Sequence, residues 1–382
     1  MVDPHPIGEA SARRAARRVA ERRRRRRRRG RLRLLTLLSA LAALTVALIL
    51  STAGPGRPTV REHAPAAQGL AGPGRGPALL APGSQPSVLP GNVLIADRLN
   101  NRLLVVSPRG QIVWSFPRPG DLAGGETFLV PDDAFFTADG RRIVATEEDD
   151  YVISIIDVRR RRIVYRYGHP GVPGSAPGYL DNPDDAMLTS NGEIVAADIK
   201  NCRLIVIRPP AQRIARQFGA AGDCAHNPPA RFSSPNGAFP TAARGLVVTE
   251  IQGDWADVLD RAGKLVTASH PPGFTYPSDT NEVRPGVLVS VDYTSPGALE
   301  TFTPRGRLLW RYAPASGPAP LELPSLAVVL PGGDVLVCDS GNDRVVVIDP
   351  RRNTIVWQYG HTGRAGSGPG YLHTPDSATL LP

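Results

Sequence analysis

VLIADRLNNR at 93–102, IVAADIKNCR at 194–203 and VLVCDSGNDR at 335–344 share one pattern: a short apolar run closed by an acid, then Asn three residues on and Arg five residues on. The acids are Asp97, Asp198 and Asp339. Three degenerate copies keep only the apolar run and its acid: RIVATE ending at Glu147, LVVTE at Glu250 and VLVSVD at Asp292. Successive acids lie 50, 51, 52, 42 and 47 residues apart, a repeat of about 48 residues present six times. Strand-like runs at that period, with no helical pattern between them, predict the blades of a β-propeller.

Each repeat supplies the other strands of a blade. An apolar run opens on Pro (PDDAFFTADG, PDDAMLTSNG, PNGAFPTAARG, PSLAVVLPGG), and two more follow the acid, such as RLLVVSP with QIVWSFP or RVVVID with TIVWQYG. Turn signals (PRG, DG, NG, GG) separate them. The runs that end in the acid are apolar on both faces, as suits a strand sandwiched between neighbouring blades. The expected fold is therefore all-β, a six-bladed propeller over residues 87–382. Its closure is legible too. The C-terminal HTPDSATLLP matches the opening of a repeat, whereas the domain starts on GNVLIAD, which matches a second strand. Pro375 to Leu381 should therefore be the innermost strand of the first blade, leaving no open sheet edge.

Pro183, Asp184, Ala186, Leu188, Gly192, Ile194, Val195, Asp198, Asn201, Arg203, Leu204 and Val206, preceded by GYL at 178–180, form a repeat that resembles those of NHL-type propellers. Strands ending in Trp (Trp114, Trp310, Trp357) are similar to outer strands of arylsulfotransferase-like and quinoprotein-like propellers. The resemblance implies the propeller fold and, for six-bladed NHL-like domains, use as binding platforms. It fixes no activity, since propellers host many.

Charge is confined to one end. Residues 1–33 hold fourteen Arg against Asp3, Glu9 and Glu21, a charge of +11 in a chain whose total is +10, so residues 34–382 sum to −1. The high net charge thus gives no reason to expect nucleic acid as a partner of the folded part. Leu34 to Ala53 is an uncharged apolar stretch of twenty residues, enough for a helix across the ~30 Å hydrocarbon layer. With arginine on its N-terminal side it predicts a signal anchor: tail 1–33 cytoplasmic, one transmembrane helix at 34–53, propeller extracytoplasmic. A cleaved signal peptide, with Ser51 and Ala53 at the processing site, is the competing reading. Residues 54–86, rich in Pro, Gly and Ala without periodicity, read as a flexible linker.

Cys202 and Cys224 fall in turns on one side of the propeller and have no counterpart in other repeats. In an exported domain they are expected to form a disulfide. Cys338 takes the place of small inner-strand residues and should be a buried free thiol. A loop with YGH and GYL occurs twice, at 167–186 and 359–378, its Gly and Pro fixing a compact turn and its tyrosines packing between blades.

His169, His226 and His361 are expected on the loop face with His270 and His373. Asp132, Asp133, Asp184, Asp185 and Asp376 follow the prolines that open innermost strands, where they can ring the channel. Such side chains are either turn-bonding or ligands of a ligand or divalent metal. No HExxH, EF-hand, GxSxG or GK[ST] pattern is present, so no catalytic residue, metal ligand or cofactor is assigned. In the acid-Asn-Arg motif the acid is expected to accept N–H groups of the turn after its strand, Asn to take the left-handed conformation and Arg to pair with an acid. The preferred reading is a membrane-tethered, non-enzymatic platform for an extracytoplasmic protein, glycan or envelope component. The alternative is an exported propeller enzyme, a metal-dependent lyase or lactonase or an arylsulfotransferase-like enzyme, in which His169, His361 and the channel aspartates converge.

Overall fold

The computed structural model describes Leu70 and residues 79–189, 191–317 and 319–381. The expected tail (1–33), transmembrane helix (34–53) and most of the linker lie outside these residues. Among the described residues no helix is long and apolar enough to cross a membrane.

The described chain forms six antiparallel sheets of four strands, a six-bladed β-propeller. Blade 1 pairs Pro375–Leu380 with Val93–Asp97, Arg102–Val106 and Ile112–Phe116. Blade 2 runs Pro131–Phe136, Arg142–Glu147, Val152–Asp157 and Arg162–Gly168, and blade 3 Pro183–Leu188, Ile194–Asp198, Arg203–Ile207 and Ile214–Phe218. Blade 4 comprises Pro235–Pro240, Leu246–Glu250, Trp255–Leu259 and Leu265–Ser269; blade 5, Pro277–Arg284, Val287–Asp292, Ala298–Phe302 and Leu308–Tyr312. Blade 6 holds Pro324–Val329, Val335–Asp339, Arg344–Asp349 and Thr354–Gly360. Every innermost strand begins with proline, whose missing N–H costs nothing at a strand start.

The second strands are apolar on both faces because each face packs a different neighbour. Val93 and Ile95 join the cluster of Leu336, Cys338 and Val345 in blade 6, whereas Leu94 and Ala96 join Ile143 and Ala145 in blade 2. Burying each such side chain is worth ~1.5–3 kcal/mol, so the interblade seams are the core. The tryptophans stitch these seams from outside. Trp114 Nε1 donates to Val158 O at 3.1 Å, Trp357 Nε1 to Pro108 O at 2.8 Å and Trp310 Nε1 to Asn353 Oδ1 at 2.9 Å, each reaching the next blade.

Closure follows the expected register, with Val93 opposite Leu380, Leu94 opposite Thr379 and Ile95 opposite Ala378. The chain joins the propeller earlier than residue 87. Leu80 bridges Tyr359 on the outer strand of blade 6, and Gln85 N donates to Val356 O at 2.8 Å, so this part of the linker is docked. The Cys202–Cys224 disulfide is present, with Cα atoms 5.2 Å apart, and Cys338 is a buried free thiol.

Removal of residues 373–382 takes away the closing strand and exposes the edge of Val93–Asp97. The expected outcome is loss of the cooperative thermal transition of the whole propeller, measured by circular dichroism, and not merely a lower melting temperature.

Candidate functional site

The acid that closes each second strand sets the geometry of the centre. One of its oxygens accepts a backbone N–H from the residue two before the proline of its own blade's innermost strand. His373 N donates to Asp97 at 2.8 Å, Leu129 N to Glu147 at 2.9 Å, Asp181 N to Asp198 at 2.8 Å and Glu322 N to Asp339 at 2.7 Å. Ser233 N serves Glu250, and Thr275 N serves Asp292 at 3.0 Å. The acid therefore holds the loop that feeds the inner strand, and not the turn after its own strand as expected from sequence.

Asn and Arg of the motif extend that hold. Asp198 Oδ2 accepts Arg203 Nε at 2.7 Å and Asn201 Nδ2 at 2.9 Å, while Asn201 also donates to Gly174 O at 2.9 Å and Arg203 to Ser175 O and Tyr179 O, both at 3.1 Å. In blade 1 Asn100 reaches Gly366 O at 2.8 Å and Arg102 reaches Ser367 O at 2.7 Å and Tyr371 O at 3.1 Å. The duplicated loop thus occurs where a following blade has the motif to grip it. The left-handed residue is the one after the motif Asn: Asn101, Cys202 and Asp343, with φ of 53–54°.

Past each proline the inner strand is bulged, with register shifts at Pro131/Ala134, Asp184/Met187 and Ser278/Asn281. A bulge re-aims side chains, so neighbouring residues need not alternate. Asp132 and Asp133 both turn inward, as do Asp184 and Asp185, and with Asp376 and Asp279 they make a ring of buried carboxyls. Single oxygens of Asp132, Asp133 and Asp184 lie within 4.8 Å of one another, as do those of Asp133, Asp185 and Asp279. Asp185 holds φ at +50°. Gly237 gives these carboxyls room: a Cβ there would come within 2.5 Å of Asp185 Oδ2.

Compensation is uneven. Arg98, in the turn after Asp97, pairs with Asp132, with Glu148, with Asp376 at 2.8 Å and with Asp149 at 3.0 Å. Among the described residues it is the one basic side chain paired with the ring. Asp133, Asp184, Asp185 and Asp279 have none. Asp279 accepts Asn236 Nδ2 at 3.2 Å, but neither oxygen of Asp185 has a hydrogen-bond donor among the described residues. Burial, then neighbouring carboxyls, pushes Asp184, Asp185 and Asp279 well above the usual carboxylate range, and burial raises Asp133 to about 6. Four adjacent buried carboxyls cannot all ionise without a cation. Tyr276 and Tyr293, with ring centroids 5.5 Å apart, stand near the ring, their hydroxyls raised by burial and by channel carboxylates.

All five aspartates singled out from sequence meet at this ring, and the histidines do not. His169 stacks on Tyr179 and His361 on Tyr371, each pair at 4.1 Å, directly after the outermost strands of blades 2 and 6. Tyr167 and Tyr359 of the same loops lie in the interblade clusters of blades 2 and 3 and of blades 6 and 1. His226 lies in the loop that enters blade 4, with Nδ1 3.0 Å from Glu250 Oε1. Sequence reasoning missed Arg98, Glu148 and Asp279. The first two occupy the position after the strand-end acid, and Asp279 sits two residues after an inner-strand proline, as Asp133 and Asp185 do.

The fold and ring define a six-bladed propeller with a buried cluster of aspartates on its innermost strands. No protein-family profile and no curated protein sequence matches the chain. Similar solved structures include a protein of unknown function from Bacteroides caccae, at 14% identity and a TM-score of 0.50, covering 70% of this chain and 92% of that one. A catalytically inactive virginiamycin B lyase from Staphylococcus aureus with quinupristin matches at 16% identity and 0.49, covering 72% and 82%. The WD40 propeller domain of Doa1 matches at 10% and 0.46, covering 69% and 77%. At these identities the likeness concerns the fold.

Because burial raises Asp133, Asp184, Asp185 and Asp279 above their unfolded values, the native state holds more protons than the unfolded chain above about pH 4. Their contribution to stability is complete below the unfolded pKa and is lost as pH rises through the folded one. Without divalent cations the melting temperature should fall as pH rises from about 4 through about 6, the value to which Asp133 is raised, and Asp185→Asn should shrink that fall. Arg203 is nearly wholly buried, so Arg203→Met strands Asp198 and should cost ~3–5 kcal/mol in urea unfolding. Arg102→Met, at a side chain that is 21% exposed, should cost less.

Proposed function

We propose that this protein is a membrane-tethered propeller, N-terminus cytoplasmic and propeller extracytoplasmic, whose loop face is a cation-organised binding platform for a protein, glycan or other envelope component. One observation carries the reading: the tetrad Asp133, Asp184, Asp185 and Asp279, buried without a basic partner among the described residues and given space by Gly237. Hard carboxylate oxygens of this kind suit Ca²⁺ or Mg²⁺. A bound divalent ion would remove the carboxyl repulsion at the centre and draw the inner strands together beneath the face. That face presents Leu99 and Leu129 exposed, with Tyr276 and Tyr293 partly so, a mixture suited to a partner or a sugar. The disulfide agrees with an oxidising compartment, and the apolar stretch 34–53 behind its arginines supplies the tether.

The enzymatic alternative rests on His169 and His361 converging with the channel aspartates. Both histidines instead stack on Tyr179 and Tyr371 beyond the outermost strands. The platform reading needs no such convergence.

The full-length chain in detergent, stripped by chelator, should gain melting temperature on titration with Ca²⁺ or Mg²⁺ and bind one equivalent by calorimetry. Asp185→Asn should abolish the gain, and retention on isolated cell envelopes should fall with chelator and with this variant. Envelope retention indifferent to both would sink the cation's role, and protease protection of the propeller in intact cells would sink the orientation.

A further inference from the structure

We propose that blade 4 carries a separate site for a first-row divalent transition metal of the Zn²⁺ class, with His226, Glu250 and Asp257 as its protein ligands. It is independent of the channel. One ligand atom from each residue lies within 4.8 Å of the others, and His226 Nδ1 stands 3.0 Å from Glu250 Oε1 and 3.8 Å from Asp257 Oδ2. The Asp257 side chain is wholly buried, and neither of its oxygens has a hydrogen-bond donor among the described residues.

Comparison of the blades shows what is missing there. In blades 1, 3 and 6 the strand-end acid meets the motif arginine: Asp97 with Arg102, Asp198 with Arg203, Asp339 with Arg344. Blade 2 lacks that arginine and supplies one from the outermost strand instead, Arg166 to Glu147; in blade 5 the outermost-strand Arg311 meets Glu300 of the third strand, and the strand-end Asp292 is held by Thr275 N, Tyr276 N and the Thr294 hydroxyl. Blade 4 has neither arginine. Trp255 stands at the motif position, opposite Glu250, and Ala268 pairs with Asp257 where Arg166 pairs with Ser154 and Arg311 with Glu300. Two buried carboxylates thus face each other at a place where the fold elsewhere puts a guanidinium. Protonated imidazole would balance one charge, whereas a divalent ion balances both.

The donor set decides the kind of ion. One imidazole nitrogen with two carboxylates suits Zn²⁺, Co²⁺ or Mn²⁺ over Ca²⁺, and three protein ligands leave a coordination position for water. The His226 ring is held in place by stacking on Trp255 at 3.9 Å and 8°, and Trp255 also packs His270 at 3.8 Å. The disulfide fixes Cys224 two residues upstream. The His226 side chain is 23% exposed, which gives an ion a path in from solvent.

The test uses the full-length chain in detergent, stripped by chelator, with Co²⁺ as a visible-absorbing probe for Zn²⁺. One equivalent of Co²⁺ is expected to produce ligand-field bands that Zn²⁺ abolishes and Ca²⁺ does not. His226→Gln and Asp257→Asn should weaken binding about tenfold or more, and Asp185→Asn should leave the bands unchanged. Trp255→Arg restores the guanidinium of the other blades. It should eliminate Co²⁺ binding while melting at or above the temperature of the stripped wild type, so loss of the ion is separated from loss of the fold. Absence of bands in the wild type, bands that survive His226→Gln, or full binding by folded Trp255→Arg would each overturn the assignment.

Discussion

The propeller depends on one contact made in every blade: a buried carboxylate at the end of the second strand accepting the N–H of the residue two before the inner-strand proline. An uncompensated carboxylate in that position would be expensive, and its cost falls because the hydrogen bond is to the charged form and, in most blades, an arginine lies alongside. What the contact achieves is placement. It brings the incoming loop to a fixed depth and forces the residue before proline into a left-handed conformation at Val130, Asn182, Ser234, Leu323 and Thr374. That conformation costs non-glycine residues roughly 1–2 kcal/mol, and the clamp supplies the compensation. In blade 5 the equivalent residue, Tyr276, stays out of that region and a second N–H, from Tyr276 itself at 2.8 Å, reaches the acid.

The centre inherits its geometry from these clamps. Because each proline starts at the same depth and each inner strand bulges just after it, the next two residues can both face the axis. Aspartate at those positions in blades 1, 2, 3 and 5 then concentrates negative charge where the strands are closest. A single arginine, Arg98, answers one side of the ring. Stability alone would favour apolar or amide side chains here, as Leu326 in blade 6 and Asn236 in blade 4 illustrate. Retaining a tetrad of raised carboxyls is a cost to the apo fold that a bound cation would reverse.

Much of this architecture is legible in the sequence. The acid spacing defines the blade count, the mismatch between chain ends defines the closing strand, and two unmatched cysteines define the disulfide. The channel aspartates are visible because proline marks their strands. Asp279 is hidden because PSDTNEVR lacks the apolar run that makes the other inner strands recognisable, its bulged register letting polar residues occupy buried positions. The partners of the motif asparagines are hidden for a different reason. A loop carbonyl 27 or 266 residues away, Gly174 for Asn201 or Gly366 for Asn100, leaves no local pattern. The histidines mislead because the loop face is broad: residues following an outermost strand and residues preceding an innermost one share a face without sharing a site.

Departures from the repeat carry more information about sites than the repeat does. The recurring acid, Asn and Arg are accounted for by the clamp, so their presence in a blade says only that the blade is held together. Blade 4 departs at several positions together: Trp255 for the motif arginine, Asp257 and Ala268 facing each other on its outer half, His226 above them, and the disulfide on its incoming loop. Loss of the arginine alone can be offset by other donors, as Thr275 N, Tyr276 N and the Thr294 hydroxyl do for Asp292 in blade 5. Here the loss comes with a second buried acid, which worsens the repulsion, and with an imidazole aimed at both, which alone cannot balance it. Those changes are coherent if the missing positive charge is an ion and incoherent if each is read singly. The same logic separates the two acidic centres: the channel combines equivalent positions from several blades, whereas the blade 4 cluster substitutes within one, so oxygen donors alone line the first and a nitrogen enters the second.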